Sequence, residues 1–210
     1  MKYQSLKPGT LLSPVPAVLV SCADETGRKN ALAIAWTGTV CSDPPMVSIS
    51  VRPERYSHEL IERSGEFVIN LCGREMLRKL DYCGVRSGRE EDKWEKAGLE
   101  ALTVPQMRFT PAVSGTPLYL ACRVAEKKCL GSHDLYLADI AAVGVREDLL
   151  DETGRLCLER ANLVAYSHGE YYGLSGLLAF FGYSVASDEV LKRRMPAEGK
   201  GGAGKARRRK

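Results

Sequence analysis

The sequence predicts a mainly β fold, in which short antiparallel strands close into a Greek-key-like barrel with short helices inserted between them. The 210 residues include 20 glycines and 10 prolines, which supply many turns. Short apolar stretches recur between those turns, and residues 46–51 alternate apolar residues with serine. Short strands of even length close most readily into a barrel, because closure removes unpaired sheet edges.

Each predicted strand is an apolar or alternating stretch bounded by turn residues. The first two form a hairpin around the turn at residues 24–28, and Asp43-Pro44-Pro45 separates the second strand from the third. The predicted strands are residues 15–22, 31–36, 46–51, 66–71, 118–124 and 135–145.

Short helices fill the middle of the chain. Ser57 is placed to cap a helix over residues 58–63, because a serine hydroxyl can accept a hydrogen bond from a free amide of the first turn. Residues 74–82 carry apolar residues at helical spacing, 84–88 read as a loop, and 90–97 predict a short polar helix that Trp94 can attach to the domain.

The charge of the chain is unevenly distributed. Residues 192–210 carry nine Lys or Arg and one acidic residue, which leaves a net charge of −4 on residues 1–191. We therefore predict one domain over residues 1–191 and a disordered basic tail over 192–210. A mildly acidic domain has no broad basic surface, so no nucleic-acid partner is expected.

Seven cysteines occur without C-x-x-C or zinc-finger spacing. This pattern indicates reduced packing thiols in a cytoplasmic protein and no metal site. No stretch approaches the ~18 apolar residues of a membrane-spanning helix, so no membrane partner is expected. Residues 11–22 loosely imitate a lipoprotein signal ending at Cys22, but Pro14 and Pro16 interrupt the helical part that such a signal needs.

A band rich in hydroxyl-bearing and small residues, with one arginine, is the main chemical feature of the first hundred residues. Small hydroxyls beside an arginine can surround a phosphate, since the guanidinium fork matches its oxygens. The same residue types are also ordinary on a solvent-facing strand, and both interpretations stay open. The band comprises Trp36, Thr37, Gly38, Thr39, Ser48, Ser50, Arg52, Tyr56 and Ser57.

Five segments in a fixed order resemble one known family. Residues 30–61 and 64–70 match its first half, and residues 81–94 match its D-x-C-G-x-x-S-G-x-x-x-D-K-[FW] segment. Residues 131–140 are similar to its G-x-H-x-x-x-x-G-x-V strand, and residues 171–185 look like its usual ending. Over roughly residues 8–187, the chain closely resembles the flavin reductase-like, or flavoredoxin, family.

This resemblance implies an FMN-binding split β-barrel that works as a homodimer, with each flavin near the subunit interface. Residues 36–39 are then expected beside the isoalloxazine ring, and the later part of the hydroxyl band around the ribityl chain and phosphate. His133 is expected on the nicotinamide side, although a structural, hydrogen-bonded histidine is an equal alternative. The cofactor-binding residues implied in this way are Trp36, Thr37, Gly38, Thr39, Ser50, Val51, Arg52, Tyr56, Ser57, Cys83, Gly84 and Ser87.

Three functions fit such a protein. The first is an oxidoreductase in which NAD(P)H reduces FMN, stacking directly on the flavin because 210 residues leave no room for a separate nucleotide domain. The alternative is an electron-transfer protein that takes electrons from a protein partner. The third is a barrel that has lost its flavin. A flavin carries the hydride itself, so the lack of an acid–base dyad excludes none of the three.

Overall fold

The computed structural model describes residues 1–174 and 176–195. It contains a large compact unit, residues 1–173, and a small C-terminal unit that begins at Leu174. In the small unit, the last turn of the helix Asp188–Arg194 places the Arg194 guanidinium 4.1 Å from the centre of the Phe180 ring. The basic tail predicted over 192–210 starts within this helix, and from residue 196 onward it lies outside the described residues.

Antiparallel strands are the main regular structure of the large unit, as predicted. Its described α-helices are α1 (Tyr56–Ser64), α2 (Leu77–Val85) and α3 (Lys93–Lys96), and α4 is the helix Asp188–Arg194 of the small unit. The strands are β1 (Val15–Pro16), β2 (Val18–Ala23), β3 (Lys29–Ile34), β4 (Thr37–Ser42), β5 (Pro45–Val51), β6 (Glu66–Leu71), β7 (Ala101–Leu102), β8 (Ala112–Val113), β9 (Leu118–Cys129), β10 (Asp134–Val145), β11 (Val164–Ser167) and β12 (Glu170–Gly173).

The main sheet has seven strands in the order β3-β2-β6-β9-β10-β5-β4, and every neighbouring pair is antiparallel. Leu32 of β3 and Ile49 of β5 pack in the same core as Val20 and Phe67 from the middle of the sheet. The sheet therefore curls until β3 and β5 approach each other. Among the described residues, no backbone hydrogen-bond ladder joins these two strands, so the barrel is open there. We call this opening, between residues 32–34 and 50–51, the seam.

Some predicted elements differ from the observed ones. Ser57 does not cap α1: Arg55 is the N-cap residue, and the buried Ser57 hydroxyl accepts a hydrogen bond from Asn30 Nδ2 at 2.9 Å. Gly84 belongs to α2 and not to a loop, because the helix continues to Val85. The predicted helix over 90–97 is shorter, since Asp92 caps α3 by accepting bonds from the amides of Trp94 and Glu95.

The cysteines behave mostly as small apolar residues. Five of the seven are buried, whereas Cys41 is half-buried and Cys129 is exposed, and all seven are free thiols. Burial raises the pKa of Cys22, Cys72 and Cys122 to about 12, so these thiols stay protonated. Cys22 is the second-last residue of the buried strand β2. Within the described ranges, no helix is long and apolar enough to cross a bilayer.

Asp24 holds the turn between β2 and β3 and makes stability depend on pH. Its buried carboxylate accepts bonds from the Thr26 hydroxyl at 2.6 Å and from Arg28 Nη2 at 2.6 Å. Burial alone would raise the pKa of Asp24, but these hydrogen bonds outweigh it and lower the pKa to about 2. Because the folded-state pKa is depressed, the carboxylate stabilises the fold above the unfolded pKa, and this contribution is lost as the pH falls toward 2.

We therefore expect Asp24→Asn to flatten the dependence of the unfolding free energy on pH between about pH 5 and pH 2. Urea denaturation at a series of pH values measures this dependence. Asp139→Asn is the matched control, because Asp139 is an exposed aspartate on β10. A wild-type slope in Asp24→Asn would show that Asp24 does not carry the effect.

Candidate functional site

A cavity of about 540 Å³ lies at the seam. One wall is formed by residues 32–35 of β3 and its continuation, and another by Leu80, Asp81 and Gly84 of α2. Ser50 and Val51, at the end of β5, close the side nearest to α1. The split in the barrel thus produces the cavity, whose walls come from elements far apart in the sequence.

The wall between β3 and α2 is built from small residues. Ala33, Ala35 and Gly84 all line the cavity. A β-carbon on Gly84 would lie 3.0 Å from the Ala33 β-carbon, so the helix approaches the strand as closely as a glycine allows. This close approach leaves a smooth apolar wall, which suits a flat aromatic ligand.

Trp36 and His133 form the opposite, partly open side. The Ser50 amide donates to the Trp36 carbonyl at 3.0 Å, which fixes Trp36 beside the end of β5. The Trp36 ring is 44 % exposed and lies 4.6 Å from the His133 ring, so it is not a core residue. Burial, together with the charge of Arg52, lowers the pKa of His133, and its imidazole is therefore neutral at neutral pH.

The hairpin β11–β12 also contributes to the cavity. His168 and Gly169 both have positive φ in its two-residue turn, the backbone of a tight hairpin turn. The turn sets Tyr166 opposite Tyr171, and both rings line the cavity. The Tyr171 hydroxyl donates to Asp81 at 3.2 Å; burial and this carboxylate raise the pKa of Tyr171 to about 12 and keep the phenol protonated.

A second pocket of about 330 Å³ adjoins the cavity and shares Leu32 and Arg55 with it. Three cationic side chains, from Arg55, Arg86 and Lys93, line this smaller pocket. Glu54 also lines it, but its carboxylate faces Arg52 at 3.5 Å. Within the described part of the chain, no carboxylate lies within ion-pair distance of Arg55.

Lys93 gives the smaller pocket its chemical character. The residue is 2 % exposed, and its Nζ donates to the Cys83 carbonyl at 2.8 Å. An ammonium has three N–H donors, and the described residues satisfy only this one. Burial lowers the pKa of Lys93. A buried cation without a carboxylate partner is costly unless a ligand compensates it, so the pocket is suited to an anion.

The comparison with protein families agrees with this geometry. The model of the flavin reductase like domain matches residues 11–175, which is most of the chain. The chain belongs to the flavin reductase-like family. This match confirms the resemblance carried by the five sequence segments, and the matched range ends close to the boundary of the large unit.

Two solved structures and one curated protein show what this flavin reductase-like protein is similar to. Flavoredoxin of Desulfovibrio vulgaris (Miyazaki F) is 30 % identical with a TM-score of 0.80, over 86 % of this chain and 98 % of that one. An FMN-binding protein from Thermus thermophilus with bound 1-cyclohex-2-enone is 26 % identical with a TM-score of 0.69, over 82 % and 94 % of the two chains. The NADH:riboflavin 5′-phosphate oxidoreductase of Streptomyces pristinaespiralis is 22 % identical over 58 % of this chain and 66 % of that protein. The predicted mainly β, split-barrel fold is confirmed.

The structure brings together eight of the predicted site residues of this flavin reductase-like chain. Tyr56 and Ser87 line the smaller pocket, and the cavity is lined by Trp36, Ser50, Val51, Arg52, Gly84 and His133. The other five line neither pocket, and they are Thr37, Gly38, Thr39, Ser57 and Cys83.

Local structure explains why those five side chains lie elsewhere. The chain continues after Trp36 as the edge strand β4, in which Gly38 and Thr39 are exposed. Ser57 is buried under Asn30, and Cys83 is buried in a core cluster with Leu80, where its carbonyl accepts a hydrogen bond from Lys93.

Several residues around the site were not among the predicted site residues. Lys93 was visible as the D-K pair of the segment 81–94, but only the structure shows that it is buried. Arg55 lies within the hydroxyl band, between Arg52 and Tyr56, but it carries no motif of its own. Asp81 was visible as the first residue of the segment 81–94, whereas Tyr166 reaches the cavity through the hairpin β11–β12 and only the tertiary structure identifies it.

Proposed function

We propose that this protein is an FMN-dependent oxidoreductase, with the isoalloxazine ring in the cavity and the phosphate in the smaller pocket. The observation that carries the proposal is the buried Lys93 ammonium, which donates to the Cys83 carbonyl and has no second hydrogen-bond partner among the described residues. Arg55 lines both the cavity and the smaller pocket, so its side chain can contact a ligand that extends from one into the other.

The position of the phosphate differs from the one that the sequence alone favours. Arg52 is exposed and faces Glu54 at 3.5 Å, so its charge is already partly compensated. Lys93 and Arg55 have no such carboxylate partner among the described residues. An anion gains more from these two cations, and we therefore place the phosphate with them and not with Arg52 and Ser50.

Bound FMN supplies the hydride chemistry, so the residues of this chain bind and orient. Ala33 and Gly84 provide the smooth wall against which a flat ring packs. Trp36 and the neutral His133 offer an uncharged aromatic surface at the open side, which suits a nicotinamide ring. NAD(P)H is accordingly our proposed electron donor, in agreement with the name of the Streptomyces relative.

An absorption spectrum of the purified protein, followed by calorimetric titration with FMN, FAD and riboflavin, tests the cofactor. We expect FMN to bind more tightly than either of the others, since only FMN places a single phosphate on Lys93. FAD binding as tightly as FMN, or no flavin binding, would contradict the proposal. Anaerobic titration with NADH and then NADPH identifies the nucleotide by bleaching of the flavin absorption.

An electron-transfer protein with a protein donor is the second candidate. The exposure of Trp36 at the open side of the cavity favours it, because a partner can dock where the flavin edge would be accessible. The likeness to flavoredoxin adds support. Protein that binds FMN tightly but oxidises neither NADH nor NADPH would decide for this function.

We further propose that two copies of the chain form the active unit. Trp36 and Val40 leave exposed apolar surface, and β4 is paired on one side only among the described residues. A twofold partner would cover this edge and the ligand together. FMN should then raise both the dimer fraction and the melting temperature by mass action. Sedimentation at low protein concentration with and without FMN measures the effect, and a monomer with full FMN affinity would contradict it.

A further inference from the structure

Helix α1 and the hairpin β9–β10 share a buried polar contact just behind the wall of the cavity. His58 Nε2 lies 2.8 Å from Asp134 Oδ2, and the two side chains are only 14 % and 8 % exposed. Neither residue lines the cavity or the smaller pocket. The contact is therefore not part of the binding surface described above.

Asp134 controls the segment that carries His133. It is the first residue of β10, where it pairs with Val51 of β5, and His133 immediately precedes it. The Leu130 amide donates to the His133 carbonyl at 2.9 Å, which closes the hairpin turn. Successive side chains of an extended segment point to opposite sides, so Asp134 is held behind the wall while His133 reaches the cavity and Trp36.

His58 connects Asp134 to helix α1 and so to the side of the cavity that Arg55 lines. It stands in the first turn of α1, three residues after Arg55. The bond from His58 to Asp134 thus joins the segment carrying Arg55 to the segment carrying His133.

Neighbouring charged groups keep the Asp134 carboxylate ionised and hold helix α1 against the hairpin β9–β10. Lys127 Nζ lies 3.9 Å from Asp134 and 2.5 Å from Glu62 of α1, and Tyr136 donates to Glu62 at 2.8 Å. The hydrogen bond from His58 lowers the pKa of Asp134, so its carboxylate is charged at neutral pH.

We propose that His58 and Asp134 are positioning residues of the flavin site, which hold His133 against Trp36 on the electron-donor side of the cavity. This inference rests on the proposed function for its meaning, because the contact matters for catalysis only if the cavity holds the flavin. The contact between His133 and Trp36 can nevertheless be measured without any ligand.

Nuclear magnetic resonance of the full chain without added flavin tests the proposal. The Trp36 ring shifts the ring-proton resonances of His133, since the two ring centres are 4.6 Å apart. Trp36→Leu gives the unshifted value, and His133→Gln assigns the signal. We expect His58→Leu to move the His133 resonance toward the Trp36→Leu value. We expect His58→Gln to preserve it, because the glutamine amide can still donate to Asp134.

Glu126→Gln is the control for a nearby surface change, because Glu126 is exposed on β9. A folded His58→Leu protein with the wild-type His133 resonance would overturn the proposal. If that variant does not fold, a nitrogen-15 measurement on the wild-type protein still tests the proposal. A nitrogen-15 shift that shows His58 Nε2 without a proton at neutral pH would remove the donor and overturn the proposal, whereas a protonated Nε2 supports it.

FMN titration of the wild-type protein distinguishes a failure of the proposed function from a failure of the positioning role. Failure to bind FMN would remove the proposed function, and the ring-proton measurement would still report whether His58 positions His133. FMN binding together with an unchanged His133 resonance in His58→Leu would retain the function and reject the positioning role.

Discussion

Replacing Lys93 with methionine is expected to weaken FMN binding by about 10-fold to 100-fold while leaving riboflavin affinity unchanged. A hydrogen bond to a charged group contributes about 1.5–3 kcal/mol, and each 1.4 kcal/mol corresponds to about a factor of ten. Methionine has a similar length but removes the buried charge together with its hydrogen bond to the Cys83 carbonyl, so the riboflavin affinity of the same variant shows whether the site stays intact. Calorimetric titration with both ligands measures the affinities.

Lys96→Met is the matched control, because Lys96 lies on the same helix but is exposed. Arg55→Met should also weaken FMN more than riboflavin, since Arg55 lines both spaces. Arg52→Ala separates the two phosphate positions. If Arg52→Ala weakens FMN selectively and Lys93→Met does not, the phosphate lies beside Arg52, as the hydroxyl band alone indicates.

Glu66→Ala should lower the free energy of unfolding by about 2–5 kcal/mol, since it deletes a buried carboxylate that accepts hydrogen bonds from two backbone amides. The Glu66 carboxylate, 2 % exposed, accepts bonds from the backbone amides of Arg108 and Phe109 at 3.0–3.1 Å. It thereby fixes the segment at 108–109 against the first residue of β6. Urea denaturation measures the loss.

Two further variants make the Glu66 measurement specific. Glu66→Gln retains one side-chain oxygen and should lose less stability than Glu66→Ala. Glu126→Ala removes an exposed glutamate from the neighbouring strand β9 and should change the unfolding free energy by no more than about 0.5 kcal/mol. Equal unfolding free energies for wild type and Glu66→Ala would show that other groups satisfy the two amides.

Strands with strong local patterns were predictable from the sequence. The stretch 46–51 alternates buried Val47, Ile49 and Val51 with half-buried serines, and it is observed as β5 with one additional residue. Residues 66–71 form β6 as predicted. β4 was missed because its residues are polar or small and mostly exposed, so no apolar periodicity marks it.

The site was only partly predictable because its chemistry depends on burial. Lys93 and Lys96 are three residues apart on α3, and only packing distinguishes the buried ammonium from the exposed one. Ser57 was assigned to the phosphate because serine is a common anion ligand, whereas its tertiary partner is the Asn30 amide. The family segments located the site, and the fold determined which side chains reach it.

The open seam also has a consequence for solvent exchange. β3 is an edge strand, so alternate amides face the opening, whereas β2 and β6 are paired on both sides. Backbone protons of the central strands exchange with deuterium only when the sheet opens widely, but those facing the seam need only a local fluctuation. A ligand in the seam would slow exchange at β3 by suppressing local fluctuations, and at β6 only as far as it raises the global unfolding free energy, so the early time points of a deuterium-uptake map would outline the binding site.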